Sequence, residues 1–242
     1  MARIGIIGSA GRMGAALVEA IAMAGEVHAG GIDQGGDLAA LAAVSDVLVD
    51  FSSPAALEAN LDGASAAGVP IVIGTTGLEE RHHWLCDAAA DKIAVLQTGN
   101  TSLGITLLAH LVREAAERLG EDWDIEVTET HHRMKVDTPS GTALLLGEAA
   151  AKGRGIDLAR HSASGRDGIT GARKVGEIGF AALRGGSVAG EHTVLFLGDH
   201  ERLSLAHHAE DRSIFAKGAV RAAQWLVGKD AGRYAMEQVL EL

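Results

Sequence analysis

The chain has 242 residues, 47% apolar and 22% charged, which supplies a core for one large domain or two modest ones and excludes a disordered chain. Its 21 Lys and Arg against 32 Asp and Glu leave a net charge of −11 with no basic run, so nucleic acid is not an expected partner, whereas a small anionic substrate needs only a local cluster of cations. Glycine is in excess, 32 residues against 3 prolines, as expected where backbone turns tightly or lies close to a ligand.

The opening M-A-R-I-G-I-I-G carries no charged-then-apolar leader and runs directly into a strand at 4–7. Glycines and a helix at 12–24 follow, then strands at 27–32 and 46–51. Ser53 is placed to cap a helix that opens with Pro54. A strand at 69–73, a helix at 78–90 and a strand at 93–96 continue the alternation. Short Val/Ile/Leu runs separated by helices predict a doubly wound α/β domain with a buried parallel sheet. On the helix at 78–90, His82 and His83 read as surface residues and Cys86 as a small apolar one. A single cysteine closes no intramolecular disulfide, which suits a reducing, cytoplasmic setting.

The pattern then changes. An amphipathic helix at 102–119 leads into W-D-I-E-V-T-E-T-H-H, which alternates as a half-exposed strand. A helix at 142–152, a long Gly- and charge-rich loop at 153–173, and strands at 178–183, 193–197 and 203–206 follow. Strands in succession predict an α+β unit with a mixed or antiparallel sheet. A closing helix from 212 returns the chain to the first domain. The expected division is therefore 1–102 with 212–242, and 103–211 between them. No run of about 18 apolar residues offers a membrane span.

Two segments carry candidate chemistry. The first strand ends in G-S-A-G-R-M-G, spanning Gly8, Gly11 and Gly14, ahead of a helix whose first N–H groups can meet a pyrophosphate. Asp33, at the end of the second strand, stands where an acid meets an adenosine ribose. The spacing is looser than G-x-G-x-x-G, and plain turn glycines remain the alternative. The segment G-T-T-G at 74–77 lies at the carboxyl edge of a strand, where it serves either a ligand or the cap of the next helix. The second segment is E-T-H-H-R-M-K-V-D-T-P-S-G-T-A from Glu129 to Ala143. Its imidazoles and ammonium can move protons, and a helix start capped by Ser140 offers the N–H groups of Gly141 and Thr142 to an anion. Two solvated histidines and a charged turn are the plainer alternative. No Cys cluster and no H-E-x-x-H motif suggests a metal.

Taken together, the chain resembles the 4-hydroxy-tetrahydrodipicolinate reductase family, also called dihydrodipicolinate reductase. The likeness runs through G-x-x-G-R-M-G, D-F-S at 50–52, G-T-T-G, N-T-S-L-G at 100–104 and the H-H-x-x-K-x-D-x-P-S-G-T block. It continues through G-R-D-G-I-T-G-A-R at 165–173, R-G-G at 184–186, G-E-H-T at 190–193 and F-A-K-G-A-V-R-A-A-Q-W-L from Phe215. The resemblance implies a Rossmann-like cofactor domain with an inserted substrate-binding domain that also builds a homotetramer. It implies reduction of a cyclic dicarboxylate with NADH or NADPH. By the same resemblance His131 is the proton donor/acceptor and Lys135 a proton donor, while His132, Ser140, Gly141 and Thr142 hold substrate carboxylates. Cofactor contacts fall on Gly8, Ser9, Ala10, Gly11, Arg12, Met13, Asp33, Gly74, Thr75, Thr76, Thr98, Gly99, Asn100 and Thr101.

Three departures stand out. The connection from Asp33 to the third strand is short, Thr101 replaces an aromatic residue, and Glu210-Asp211 replace small hydroxyl residues before Arg212. An acid at Asp33, Gln34 where relatives can carry Arg, and no cation in Gly35-Gly36-Asp37 predict that NADH is preferred over NADPH. Arg12 is the one nearby cation expected to compensate. The competing readings are another two-domain nicotinamide oxidoreductase and a non-catalytic dinucleotide sensor.

Overall fold

A computed structural model describes residues 1–242 and divides them into two compact units, residues 1–103 with 213–242, and residues 104–212. The first unit opens with β1 (Arg3–Ile7), α1 (Arg12–Met23), β2 (Val27–Ile32), α2 (Leu38–Ala43) and β3 (Val47–Asp50). A 3-10 turn (Pro54–Ala56), α3 (Leu57–Ala67), β4 (Ile71–Ile73), α4 (Glu80–Ala90) and β5 (Ala94–Gln97) follow. The second unit holds most of α5 (Leu103–Leu119), then β6 (Asp124–His131), α6 (Gly141–Arg154), α7 (Leu158–His161), β7 (Ser162–Ser164), β8 (Ile178–Arg184), β9 (Gly190–Gly198) and β10 (Glu201–Ala209). The chain closes in the first unit with α8 (Ser213–Leu226), β11 (Gly232–Tyr234) and α9 (Met236–Val239).

The first unit is a parallel sheet in the order β11-β5-β4-β3-β1-β2, covered on both faces. Strand alternation sorts its residues between two cores. Ile4, Ile6, Val47, Val49, Val72 and Leu96 face Leu17 and Ile21 of α1 and the Ala-rich face of α8. Ile7, Leu48, Ile71, Ile73 and Val95 face Leu57 and Leu61 of α3 and Cys86 of α4. Each fully buried Ile or Leu contributes about 1.5–3 kcal/mol, and all of these are at most 3% exposed. The strand order reverses between β1 and β3, and in such sheets ligands bind outside the carboxyl ends of the strands flanking that point. The glycine loop after Ile7 and the D-F-S turn after Asp50 therefore meet, with Phe51 N–H donating to Ile7 O at 3.0 Å.

The second unit is a mixed sheet in the order β10-β9-β6-β8-β7. β6 runs parallel to β8 through the α6 crossover and antiparallel to β9. On one face Ile125, Val127, Phe180, Val194 and Phe196 pack against Ile105, Leu108 and Val112 of α5 and Leu146 of α6. The opposite face presents Thr128, Thr130, Leu183, Thr193 and Leu195 without a covering helix. Glu126 on that face receives Arg166 at 2.8 Å and Arg173 at 3.1 Å, which pins the 165–177 loop.

Several local expectations need correction. Ser53 makes no side-chain cap; the chain passes through the 3-10 turn before α3 begins. α4 starts at Glu80 because Glu79 is its N-cap, and His82 is not a surface residue. Its Nδ1 accepts the Glu79 N–H at 2.8 Å and the ring is 2% exposed. The 153–173 stretch is not all loop: it holds the end of α6, then α7 capped by Asp157, and β7 as an edge strand beside β8. The closing segment adds β11 beside β5, a pairing that three residues without periodicity do not announce. The short Asp33-to-β3 connection folds as α2, capped by Asp37 accepting the Ala40 N–H at 3.0 Å.

Candidate active site

In the first unit, the glycines of the loop after β1 serve different ends. Gly8 sits at φ +88°, and a Cβ there would stand 2.6 Å from Phe51 O. At Gly14 a Cβ would stand 2.2 Å from Ser9 O, so this glycine lets α1 fold back on its own loop. Gly11 has only the Gly8 carbonyl near its Cβ position, at 3.4 Å, and leaves the rim of the loop open. Asp33 closes onto this loop: it accepts the Ser9 hydroxyl at 2.8 Å and the Ala10 N–H at 3.0 Å. Gly8, Gly11 and Asp33 line a cavity of about 730 Å³ with Gln34, Gly35 and Gly36. Gly11, Arg12, Met13, Gly74, Thr75, Thr76, Gly99, Asn100 and Thr101 line a second cavity of about 490 Å³. Phe51 and Ser52 border both. Two cavities flanking one open glycine at the switch point fit the two halves of a dinucleotide.

A buried carboxylate underlies both cavities. Asp50, fully buried, accepts Ser52 N–H at 2.8 Å, Ser52 Oγ at 2.6 Å, Asn60 Nδ2 at 3.0 Å and Thr75 Oγ1 at 3.2 Å. Four neutral donors thus draw three separate segments onto the end of β3. Gly74 owes its lack of a side chain to packing, since a Cβ would stand 2.2 Å from the Phe51 ring. The Thr98 hydroxyl donates to Asn100 O and accepts the Asn100 N–H, shaping the turn after β5. Thr101, 2% exposed, donates to Phe215 O at 2.7 Å and so ties the turn to α8.

In the second unit, alternation along β6 places Glu129 and His131 on the covered face, after Ile125 and Val127. The Glu129 side chain is wholly buried. It accepts His131 Nδ1 at 2.5 Å, Arg184 Nη1 at 2.6 Å, Arg184 Nη2 at 2.8 Å and Ser140 N–H at 3.0 Å. Burial pushes the Glu129 carboxyl up, but the Arg184, His131 and Ser140 hydrogen bonds outweigh it and hold the group below the ordinary range. His192, opposite Glu129 on β9, stacks edge-on to His131 with ring centroids 5.1 Å apart. Burial, then the neighbouring His131, pushes its pKa down to about 4. Ser140 caps α6 by accepting the Ala143 N–H at 3.1 Å, and its Oγ lies 3.0 Å from His192 Nε2.

The structure brings His131 and Ser140 together on one carboxylate, with Gly141 and Thr142 opening the helix that Ser140 caps. His132 is half-buried; Arg212 donates to its Nε2 at 3.4 Å, and its N–H donates to Val188 O at 2.8 Å. Lys135 is engaged by Asp137 at 2.8 Å, and that ammonium holds the Asp137 carboxyl below its ordinary value. Glu129, Arg184 and His192 received no role from the sequence, although a carboxylate in phase with buried β6 positions is a legible signal. Cys86 is buried and burial pushes its thiol up, as befits a core residue. No helix is long and apolar enough to cross a membrane.

A parallel sheet with a glycine loop at its switch point in one unit, and a mixed sheet carrying a buried imidazole–carboxylate pair in the other, define a two-domain dinucleotide-dependent oxidoreductase. Residues 2–101 match "Dihydrodipicolinate reductase, N-terminus" and residues 104–240 match "Dihydrodipicolinate reductase, C-terminus". The chain belongs to the dihydrodipicolinate reductase family. It is 52% identical to a 4-hydroxy-tetrahydrodipicolinate reductase of Zymomonas mobilis subsp. mobilis, over 99% of this chain and 97% of that one. A protein of the same name from Parvibaculum lavamentivorans is 50% identical over 98% and 97% of the two chains. Among solved structures, a dipicolinate-bound dihydrodipicolinate reductase from Paenisporosarcina sp. TG-14 superimposes with a TM-score of 0.75 at 20% identity, covering 97% of each chain. At that identity the superposition speaks for the fold.

Proposed function

We propose that this chain reduces 4-hydroxy-tetrahydrodipicolinate to tetrahydrodipicolinate with NAD(P)H, using His131 as the proton donor/acceptor and Lys135 as a second proton donor. The reaction follows from the family, which places the enzyme in lysine and diaminopimelate biosynthesis. The residue roles rest on one observation above all: Glu129 joins His131 and the α6 cap Ser140, so an imidazole and an anion-holding helix start share one support. The first turn of α6, at Gly141 and Thr142, is assigned to the substrate carboxylates together with Ser140 and His132. The substrate hydroxyl leaves as water. A nicotinamide held by the loops around Gly11, Gly74 and Asn100 would supply hydride to the resulting C=C conjugated to C=N. Negative charge then grows on the ring, where stabilisation is most effective, and His131 or Lys135 delivers the proton that cancels it. A substrate carboxylate competes with Asp137 for the Lys135 ammonium.

For the cofactor, the reading is NADH before NADPH. Asp33 and Gln34 border one cavity, whereas Arg12, the cation that would attract a 2′-phosphate, borders the other. Assembly into a homotetramer is supported by the uncovered sheet face around Thr128, Leu183 and Leu195, and a reducing cytoplasm by the single buried thiol. The test is a coupled assay in which the hydroxylated substrate is generated enzymatically and NADH oxidation is followed. His131→Ala and Lys135→Ala should lower kcat by about 10²–10⁴, with NADH affinity by fluorescence titration unchanged. Near-normal kcat in either variant removes that residue's role. NADH binding without turnover in the wild type would favour a dinucleotide sensor.

A further inference from the structure

Outside the residues already given roles, the densest buried chemistry is the cluster behind His131. Its hydrogen bonds settle where protons lie. Glu129 is ionised, having Arg184 in a two-pronged clamp at 2.6 and 2.8 Å and a backbone N–H at 3.0 Å. An ionised carboxylate has no proton to give, so in the 2.5 Å contact it is His131 Nδ1 that donates. On its other side, the ring meets Gly190, where a Cβ would stand 3.0 Å from His131 Nε2. The absent side chain leaves that nitrogen room.

We infer that Glu129 is the positioning residue of the reaction: clamped by Arg184, it holds His131 as the Nδ1–H tautomer and dedicates Nε2 to proton exchange with the substrate. This rests on His131 being the proton donor. In the step, protonated His131 gives its Nε2 proton to the ring that has accepted hydride and is left as the neutral Nδ1–H imidazole, which solvent reprotonates at Nε2. Glu129 neither gains nor loses a proton. Because Arg184 already balances the carboxylate's charge, Glu129 acts on the ring through its orientation. The other groups around the ring act consistently. His192 is neutral, and Lys135 is paired with Asp137. Ser140 Oγ accepts the Ala143 N–H and shares a hydrogen bond with His192 Nε2, while the buried His192 Nδ1 meets no partner.

Two measurements test this. The first uses the unaltered enzyme: ¹⁵N-histidine NMR at pH 7–8, with signals assigned by His131→Asn and His192→Asn, should show His131 as Nδ1–H. An Nε2–H tautomer there overturns the inference. The second uses Glu129→Gln, checked for folding by circular dichroism, with Arg184→Lys as a milder variant. Glu129→Gln should lower kcat by about 10–100-fold, part of what a positioned proton donor contributes, while KM for the dicarboxylate stays within about twofold. Arg184→Lys keeps charge but loses the two-pronged clamp, and should lower kcat less. A folded Glu129→Gln with unchanged kcat overturns the inference, as does a parallel change in KM and kcat. Full turnover in His131→Ala overturns the underlying proton-donor reading, and with it the purpose assigned to Glu129, even when the Nδ1–H tautomer is seen. An Nε2–H tautomer together with an inactive His131→Ala overturns the Glu129 inference alone.

Discussion

Each unit keeps one carboxylate buried near the end of a central strand, and the two are satisfied in opposite ways. Asp50, at the end of β3, receives only neutral donors from Ser52, Asn60 and Thr75. Glu129, two residues before the end of β6, receives a guanidinium, an imidazole and one backbone N–H. A carboxylate surrounded by hydroxyls and amides can organise loops but cannot pass a proton to them near neutral pH. One bonded to an imidazole sets the orientation of a group that can. Scaffold and chemistry are thus built from the same residue type, and the partners decide which it becomes.

The largest effect that should separate the two regions is pH-dependent stability through the imidazole beside Glu129. An unfolded His192 takes up a proton near pH 6.5, whereas the folded residue stays neutral down to about 4. The unfolded state therefore binds more protons in that window, and stability falls as pH drops from about 6.5 towards 4. Over the whole window this amounts to about 3 kcal/mol. Urea midpoints measured from pH 7.5 to 4.5 should converge for wild type and His192→Asn as the medium becomes acid. A difference that is constant with pH would show that His192 does not titrate in this way.

A second experiment places a charge at the neutral pole. Gln34→Arg adds a cation to the cavity that Asp33 borders, and a hydrogen bond to a charged partner contributes about 1.5–3 kcal/mol. The ratio of kcat/KM for NADPH to that for NADH should rise by tenfold or more. A wild-type enzyme that already favours NADPH would mean that Arg12 outweighs Asp33.

The smallest effect is expected at Asp50. Asp50→Asn keeps the shape but turns an amide towards donors, leaving one buried polar group unsatisfied at about 1–3 kcal/mol. Thermal unfolding should register that loss and NADH titration a weaker Kd, with KM for the dicarboxylate unchanged. If substrate KM moves while NADH affinity holds, Asp50 does not organise the cofactor loops.

The order of elements was readable because period-2 and period-3.6 patterns come from the backbone and survive in any context, as in α1 and β6. The glycine loop and the H-H-x-x-K-x-D-x-P-S-G-T block were readable because they are contiguous: turn geometry, cap and imidazole follow one another along the chain. What lay beyond reach depends on residues far apart in sequence. β11 exists because β5 offers it an edge, and His82 is buried because Glu79 uses it as a cap. Thr101 finds its acceptor at Phe215, and Arg184 reaches Glu129 across 55 positions. Alternation along β6 already put Glu129 on the covered face. That it stays ionised there, and orients His131, follows only from strand pairing, because β8 and β9 bring Arg184 and His192 to it and a buried charge takes its meaning from its partners.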